Sequence, residues 1–214
     1  MRTTSTRPTL RQFVAQCRDV VQDVPLLLGA PAIRTRHLRW GATPEEAALP
    51  LPGDAQLPTA QFVATRAITV DAPPEAVWPW IVQVGSGRAG WYSNDLLDNL
   101  GRPSATAIVP GLQSLEVGQW VPLSPFGPPS ERTAFTVDSF AAGEWLLWTK
   151  PDSTWAWNLT PPRGGGTRLV NRVRAHRDWG HPLGAALGMV LMEFGDFAMM
   201  RRMLLGIKER AETR

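Results

Sequence analysis

The chain has 214 residues, which is typical of one principal domain with a substantial core. Its formal net charge is +3, and its basic residues form no run, so the composition argues against a nucleic-acid partner. The single cysteine, Cys17, excludes a disulfide framework, and we expect a cytoplasmic protein. No apolar run reaches the length of a membrane span, so no stable membrane insertion is expected.

Residues 1–60 are predicted to form an amphipathic helix followed by an extended arm, both packing on a body formed by residues 61–214. From Leu10 to Val24, apolar residues recur with i, i+3, i+4, i+7 spacing, and Pro25 and Gly29 fit the end of a helix. The next segment, ATPEEAALPLPGDAQLP (42–58), has four prolines and little periodicity. The amphipathic helix leaves open a role in protein interaction.

The body opens with a predicted strand, ATRAITVDA (64–72), and a helix, APPEAVWPWIVQV (72–84). GSGRAG (85–90) follows and has the G-x-G-x-x-G spacing of a dinucleotide-binding loop. Such a loop requires a strand before it and a second parallel strand after its helix. Here a helix precedes the glycines and a second short helix, WYSNDLLDNLG (91–101), follows them. The hexamer therefore predicts a corner between two helices, and no cofactor is expected.

The remaining body is predicted to be an antiparallel sheet and one long helix. Short gaps separate the last four of five strand-like segments, so neighbouring strands should form hairpins. The segments are GQWVPL (118–123), RTAFTVDSF (132–140), EWLLWTK (144–150), STWAWNLTP (153–161) and GTRLVNRVRAH (166–176). A long apolar helix over about residues 182–209 closes the chain.

The segment ITVDAPPEAVWPWIVQVGSGRAGWYSND, the hairpins, GGTRLVNRVRAH and the C-terminal helix together resemble the START-like, or SRPBCC, superfamily of polyketide cyclase/dehydrase and lipid-transport proteins. The resemblance covers about residues 65–210, and HLRWGATPEEAALPLPGD (37–54) is similar to an arm that precedes this domain in a bacterial branch. It implies an α+β helix-grip fold, in which a curved antiparallel sheet wraps around the C-terminal helix and two short helices follow the first strand. It also implies a cavity for hydrophobic ligands between sheet and helix. It supplies no catalytic motif to transfer by position.

Strand alternation predicts which side chains face this interior. Trp155, Trp157 and Leu159 share one face of their strand, and this apolar face should point inward. On the next strand Asn171 lies on the inward face, where it contacts either a ligand or a bulge or internal water. The opposite face of that strand is predicted to be the solvated back of the sheet and carries Arg168, Arg172 and Arg174.

Polar and aromatic side chains flank the glycine corner and are predicted to lie at the cavity mouth. Gln83 bonds either the turn backbone or a ligand, and Tyr92 either packs or donates a proton or hydrogen bond to a carbonyl. Arg88 holds a carboxylate or phosphate group, or else caps helix carbonyls or pairs with Asp95 or Asp98. The aromatic neighbours of these groups are Trp80 and Trp91.

The C-terminal helix is apolar on more than one side. Phe194 and Phe197 belong to a broad apolar stripe, and Asp196 lies among methionines roughly opposite. Asp196 is the best candidate for a buried acid, and the alternative is a salt bridge to an arginine of the arm or to Arg201 or Arg202.

Two functional hypotheses follow. The first is a carrier or sensor that binds a hydrophobic or amphipathic small molecule. The second is a cofactor-independent cyclase or dehydratase in which Tyr92, Arg88 or Asp196 is catalytic. No metal site is expected, because the three histidines lack ligand spacing. The predicted ligand-binding residues are Trp80, Gln83, Trp91, Trp155, Trp157, Asn171, Phe194 and Phe197.

Overall fold

The computed structural model describes residues 8–124, 126–162, 164–176, 180, 186, 188 and 190–213. The helices are α1 (Leu10–Gly29), α2 (Arg34–His37), α3 (Pro44–Ala48), α4 (Pro74–Val82), α5 (Asp95–Asp98) and α6 (Asp196–Glu212). A 3-10 turn (Ala30–Ile33) joins α1 to α2, another spans Pro110–Leu112, and a π-helical turn (Leu191–Gly195) leads into α6. The sequence predicts that the C-terminal helix begins at about residue 182. Of its first residues, 182–185, 187 and 189 lie outside the described part of the chain.

The strands form one six-stranded antiparallel sheet in the order β1-β6-β5-β4-β3-β2. Their bounds are β1 Phe62–Val70, β2 Trp120–Pro122, β3 Ala134–Ala141, β4 Trp145–Lys150, β5 Ser153–Thr160 and β6 Thr167–Ala175. The predicted hairpins are confirmed, and a register shift between Val137 and Ser139 marks a bulge, which bends the sheet. The α+β helix-grip fold is therefore confirmed: α4 and α5 follow β1, and α6 packs against β1 and α4.

The GSGRAG hexamer is a corner between α4 and α5, as predicted. Gly85 and Gly90 exchange two backbone hydrogen bonds of 3.1 and 3.2 Å, which close the loop. Gly85, Gly87 and Gly90 have φ values of 136°, 71° and 82°, which residues other than glycine rarely adopt. The glycines are therefore required by the turn itself.

The prediction that the back of the sheet is solvated is wrong. Arg172, on that face, is buried and donates hydrogen bonds to the carbonyl oxygens of Glu46, Ala47 and Leu49 at 2.8 to 2.9 Å. Its Nη1 also lies 2.6 Å from the Asp54 carboxylate. The arm, predicted to be extended, forms the short helix α3 here, and the three carbonyl groups belong to its last turn and its C-cap residue. The last carbonyl groups of a helix have no helical N–H partner, and the arginine supplies the donors.

The two neighbouring arginines bind the arm in the same way. Arg168 forms an ion pair with Glu46, 2.7 Å between Nε and Oε1, and donates to the carbonyl oxygen of Gly41. This contact holds the pKa of Glu46 below its ordinary value. Arg174 donates to the carbonyl oxygens of Leu57 and Pro58. The arm thus covers the sheet through side chains of β6.

Helix α1 contacts α5 and α6, and the two side chains that it buries are both polar, whereas Val20, Leu26 and Leu27 are half-buried. Gln16 and Asp23 are the buried side chains of α1. Leu10, Val21 and Leu28 are instead 78%, 68% and 70% exposed. Periodicity predicted an amphipathic helix correctly. It gave no information about which side faces the body.

Replacing Arg172 by Met tests whether the arm depends on this guanidinium. The substitution leaves three arm carbonyls and Asp54 without their buried donor, so we expect the free energy of unfolding to fall by about 3 kcal/mol. Arg174→Met is the matched control and should cost about 1 kcal/mol, since it removes bonds to the carbonyls of Leu57 and Pro58 and only a 3.5 Å ion pair with Asp54. Urea denaturation measures both losses, and equal small losses would show that the arm is not anchored by Arg172.

Candidate functional site

Tryptophans of β4 and β5 form an aromatic wall on the inner face of the sheet. Trp148 pairs with Trp155 across the strands, and Trp157 stacks on Trp155 with ring centroids 5.4 Å apart. Trp91, which follows the glycine corner, also stacks on Trp155, with ring centroids 5.9 Å apart and an interplanar angle of 3°. The structure therefore joins three of the predicted ligand-binding residues, Trp91, Trp155 and Trp157, in one cluster with Trp148.

The indole nitrogens of Trp148, Trp155 and Trp157 are buried and have no hydrogen-bond acceptor among the described residues. All three side chains are less than 8% exposed. An indole N–H is only a donor, and most buried donors in proteins have a partner. Sequence reasoning missed Trp148, although its hairpin register with Trp155 places both on the same face.

Asn171 lies on the inward face, as the alternation predicted. It pairs directly with Trp157 on β5 and with Arg66 on β1, so the three side chains form a row across the sheet. Its Nδ2 donates to the carbonyl oxygen of Ala156 at 3.4 Å, which is a long hydrogen bond. The structure thus gives the amide a backbone partner, but a weak one.

Gln83 organises the corner through both ends of its amide. Its Nε2 donates to the Tyr92 hydroxyl oxygen at 2.8 Å, and its Oε1 accepts from the Val109 backbone N–H at 2.9 Å. The side chain is fully buried. Gln83 therefore fixes the position of Tyr92 relative to the loop that precedes β2.

Tyr92 is buried in an unusual backbone conformation with φ of 54°. The ring of Trp80 meets it edge-on at 5.8 Å, and the Arg210 guanidinium lies 4.6 Å from its ring centroid. Burial raises the pKa of Tyr92 to about 12, although the hydrogen bond from Gln83 acts in the opposite direction. Tyr92 is therefore neutral at pH 7, which suits a hydrogen-bond donor and not a base.

The Arg88 guanidinium caps α4. Its Nε donates to the carbonyl oxygen of Val84 at 3.1 Å, and its Nη2 donates to that of Val82 at 2.9 Å. These are the helix-carbonyl contacts that sequence reasoning left open beside ligand binding. Two of its nitrogens are thereby committed to the corner, so Arg88 stiffens the turn.

Asp196 forms an ion pair with Arg66 of β1, with 2.6 Å between Oδ2 and Nη2. The expected partners were an arginine of the arm, Arg201 or Arg202, and the actual partner is an inward-facing residue of the sheet. Arg66 is 1% exposed, and its Nε donates to the His37 carbonyl oxygen at 2.8 Å. A charged residue on the apolar face of β1 was the available signal that sequence reasoning did not use.

His37 and Phe197 complete this ion-pair cluster. The His37 ring lies 5.4 Å from the Phe197 ring, and the Arg66 guanidinium lies 5.6 Å from the same ring. Burial, and then the charge of Arg66, lower the pKa of His37, so the imidazole is neutral at pH 7. Phe194, predicted to bind ligand, is instead 38% exposed.

The three predicted catalytic residues do not form one group. Gly206 of α6 contacts Tyr92, and Asp196 is ten residues away on the same helix, or about 15 Å along its axis. Arg88 faces carbonyls of α4, and Asp196 faces Arg66. In the part of the chain that the structure describes, no group of three or more His, Cys, Asp or Glu residues could hold a metal ion.

A titratable group that sequence reasoning mentioned only as an arginine partner lies on α5. Burial, and then the neighbouring Asp95 carboxylate, raise the pKa of Asp98 to about 7. Asp95 itself accepts hydrogen bonds from the Ser104 side chain and backbone at 2.5 and 2.9 Å. The Ser104 hydroxyl in turn accepts from the Tyr92 backbone N–H, which connects α5 to the corner.

Gly206→Ala tests the close approach of α6 to Tyr92. A Cβ at this position would lie 2.3 Å from the Tyr92 carbonyl oxygen and 2.9 Å from its Cβ, so α6 or the corner must shift. Although alanine favours a helix, we expect the free energy of unfolding to fall by about 2 kcal/mol. Thermal denaturation measures the change. Gly195→Ala, where a Cβ meets open space, is the control and should be neutral or stabilising.

Asp98→Asn tests the raised pKa. The folded-state pKa lies above the ordinary value of 3.8, so ionisation of Asp98 destabilises the fold increasingly as pH rises from 3.8 through about 7. We expect Asn to raise the free energy of unfolding at pH 8 by on the order of 2 kcal/mol and to have little effect at pH 4. Denaturant titrations at the two pH values measure this. The burial of this carboxylate would be contradicted if Asp98→Asn raised the free energy of unfolding equally at pH 4 and pH 8. It would also be contradicted if the exposed control Asp71→Asn gave the same gain at pH 8.

No protein-family model matches the chain, and no curated protein matches it. Among solved structures, it is similar to SSP2350 of Staphylococcus saprophyticus, at 13% identity over 71% of this chain and 93% of that one, with a TM-score of 0.42. It is also similar to the Polyketide_cyc-like protein Cgl2372 of Corynebacterium glutamicum, at 13% identity over 68% and 88%, with a TM-score of 0.40. MLL2253 of Mesorhizobium loti is 15% identical over 70% and 96%, with a TM-score of 0.39. Similarity at this level identifies neither a ligand nor a reaction.

Proposed function

We propose that the protein binds an apolar or amphipathic small molecule that carries hydrogen-bond acceptors, between the inner face of the sheet and α6. The observation that supports this most directly is the cluster of indole N–H groups of Trp148, Trp155 and Trp157, which have no acceptor in the part of the chain that the structure describes. The cluster lies within the main hydrophobic core, together with Trp91 and Tyr92. A carbonyl or ether oxygen on an aromatic or aliphatic frame matches both features.

The energetics favour a bound acceptor. A buried donor without a partner costs about 1 to 3 kcal/mol, and a natural domain of this size has a total stability of only about 5 to 15 kcal/mol. Three such donors in one cluster therefore represent a large free-energy cost. An acceptor supplied by a ligand recovers part of it, and the surrounding aromatic rings provide the apolar contact area.

The acid and base groups of the interior favour binding over catalysis. Asp196 forms an ion pair with Arg66, Arg88 caps α4, and Tyr92 keeps its proton at pH 7 because its pKa is raised. We therefore place a carrier or sensor function first.

A cofactor-independent cyclase or dehydratase is the second candidate, and the conformation of Tyr92 supports it. Positive φ at a residue other than glycine is a strained conformation that is enriched at functional sites. In such an enzyme the Tyr92 hydroxyl would donate a hydrogen bond to a substrate carbonyl, and the aromatic wall would hold the chain folded. If the unaltered protein converts a bound ketone chemically and the Tyr92→Phe variant does not, the result would favour the enzyme.

Two ligands of equal shape, acetylnaphthalene and ethylnaphthalene, test the role of the indole donors. Only the first has a carbonyl acceptor, so we expect it to bind more tightly, as measured by quenching of tryptophan fluorescence. Trp157→Phe keeps an aromatic ring and removes the N–H, and it should weaken acetylnaphthalene binding about fivefold, since one net hydrogen bond contributes about 1 kcal/mol. Binding of ethylnaphthalene should change much less.

Trp120→Phe is the matched control, because Trp120 is 37% exposed on β2, away from the cluster. It should change neither affinity. The proposal is wrong if neither ligand binds saturably, or if Trp157→Phe weakens both ligands equally, since the latter result would assign Trp157 a role in packing alone.

A further inference from the structure

Helix α1 presents a continuous apolar surface to solvent. Its exposed apolar residues, here called the apolar stripe, are related by spacings of three, four and seven and so lie on one side of the helix. They are Leu10, Phe13, Val14, Val21, Val24 and Leu28, and their exposed fractions run from 39% to 78%. Contiguous apolar surface of this kind marks a site of contact with another body.

The polar side of α1 is the side that holds it to the protein. Gln16 Nε2 donates to the Gly101 carbonyl oxygen at 3.0 Å. Asp23 forms an ion pair with Arg202, which also lies 3.7 Å from the Asp19 carboxylate. A helix that packs on a core usually buries its apolar side, whereas the two side chains that α1 buries are both polar and its most apolar side is exposed.

The exposed side of α1 is also cationic. Asp19 and Asp23 are the acidic residues of this helix, and both are paired with Arg202 on the body side. Arg11 and Arg18 are exposed and lie along one edge of the apolar stripe, about 80° to 100° around the helix from its centre. Neither forms an ion pair with a carboxylate in the described part of the chain.

Positive charge continues beyond the carboxyl end of α1. Arg36, Arg39 and Arg201 line a pocket of 490 Å³ together with the apolar side chains of Leu26 and Ile33. Within residues that the structure describes, these three arginines have no carboxylate partner, and Arg201 lies 5.5 Å from the Trp40 ring centroid. Arg11 and Arg18 are therefore the guanidinium groups beside the apolar stripe, and the three pocket arginines add positive charge beyond the end of α1.

We propose that α1 is a peripheral docking helix that lies in the headgroup region of an anionic lipid bilayer. The apolar stripe would enter the boundary between headgroups and acyl chains, and Arg11 and Arg18 would contact lipid phosphates. Among the described residues, no helix is long and apolar enough to cross a membrane. The docking is accordingly at the surface, and it does not depend on the identity of any ligand inside the protein.

A second copy of the chain fits the stripe less well. In a parallel pair of α1 helices, Arg11 and Arg18 would lie opposite apolar residues such as Phe13 and Val20. In an antiparallel pair the arginines would lie opposite each other. No acidic residue of α1 faces outward to complement them. An anionic surface supplies the missing negative charge.

Flotation of the purified full chain with lipid vesicles tests the proposal. We expect association with vesicles of equal parts phosphatidylcholine and phosphatidylglycerol, weak association with phosphatidylcholine alone, and a loss of association as salt is raised. Val21→Gln with Leu28→Gln should reduce partitioning at least about tenfold, because two of the most exposed stripe residues become polar. Arg11→Gln with Arg18→Gln should remove most of the preference for anionic vesicles.

The matched control is Val117→Gln with Phe126→Gln, which removes apolar side chains of similar exposure, 68% and 69%, outside the stripe. It should float like the unaltered chain, and circular dichroism should show that every variant keeps its fold. The proposal is overturned if the unaltered chain does not associate with anionic vesicles, or if the stripe and control variants behave alike. It is also overturned if light scattering shows a dimer that the stripe variant dissociates while neither protein binds vesicles.

Discussion

The arm that covers the back of the sheet has carbonyl groups at the end of α3 and beyond it that need hydrogen-bond donors, and guanidinium groups of β6 supply them. Arg172 alone contacts three carbonyl oxygens and the Asp54 carboxylate. With this face closed, the inner face is the side of the sheet that packs against α6. Because successive side chains of a strand point to opposite faces, the inner face carries the aromatic wall, Asn171 and Arg66 with its ion pair.

The inner face combines buried aromatic side chains with indole N–H groups that have no acceptor among the described residues. Most buried donors in proteins have a partner, and the ligand acceptor that we propose would supply one to these indole groups. The glycine corner serves the same surface: Gln83 fixes Tyr92, and Trp91 extends the aromatic wall beyond the sheet. Arg88 contributes by holding the end of α4, so its role is to position the corner.

The strands, their hairpin pairing, the corner and the inward position of Trp155, Trp157 and Asn171 could be predicted from the sequence, because alternation and glycine placement are local properties. The partners of charged side chains could not. Asp196 pairs with Arg66, whose inward orientation depends on a contact between residues 130 positions apart. The arginines of β6 looked solvent-exposed, because nothing local shows that a distant arm will cover them.

The sequence by itself determined the antiparallel sheet, the amphipathic character of α1 and the aromatic inner face, since each follows from the spacing of apolar residues along a single element. Only the tertiary structure decided which sides of those elements are covered. Asp23 and Gln16 turn the polar side of α1 toward the body through contacts with Arg202 and Gly101, which lie far along the chain. Burial is a property of pairs of elements, and so the exposed apolar stripe and the covered arginines appear only when the elements are packed together.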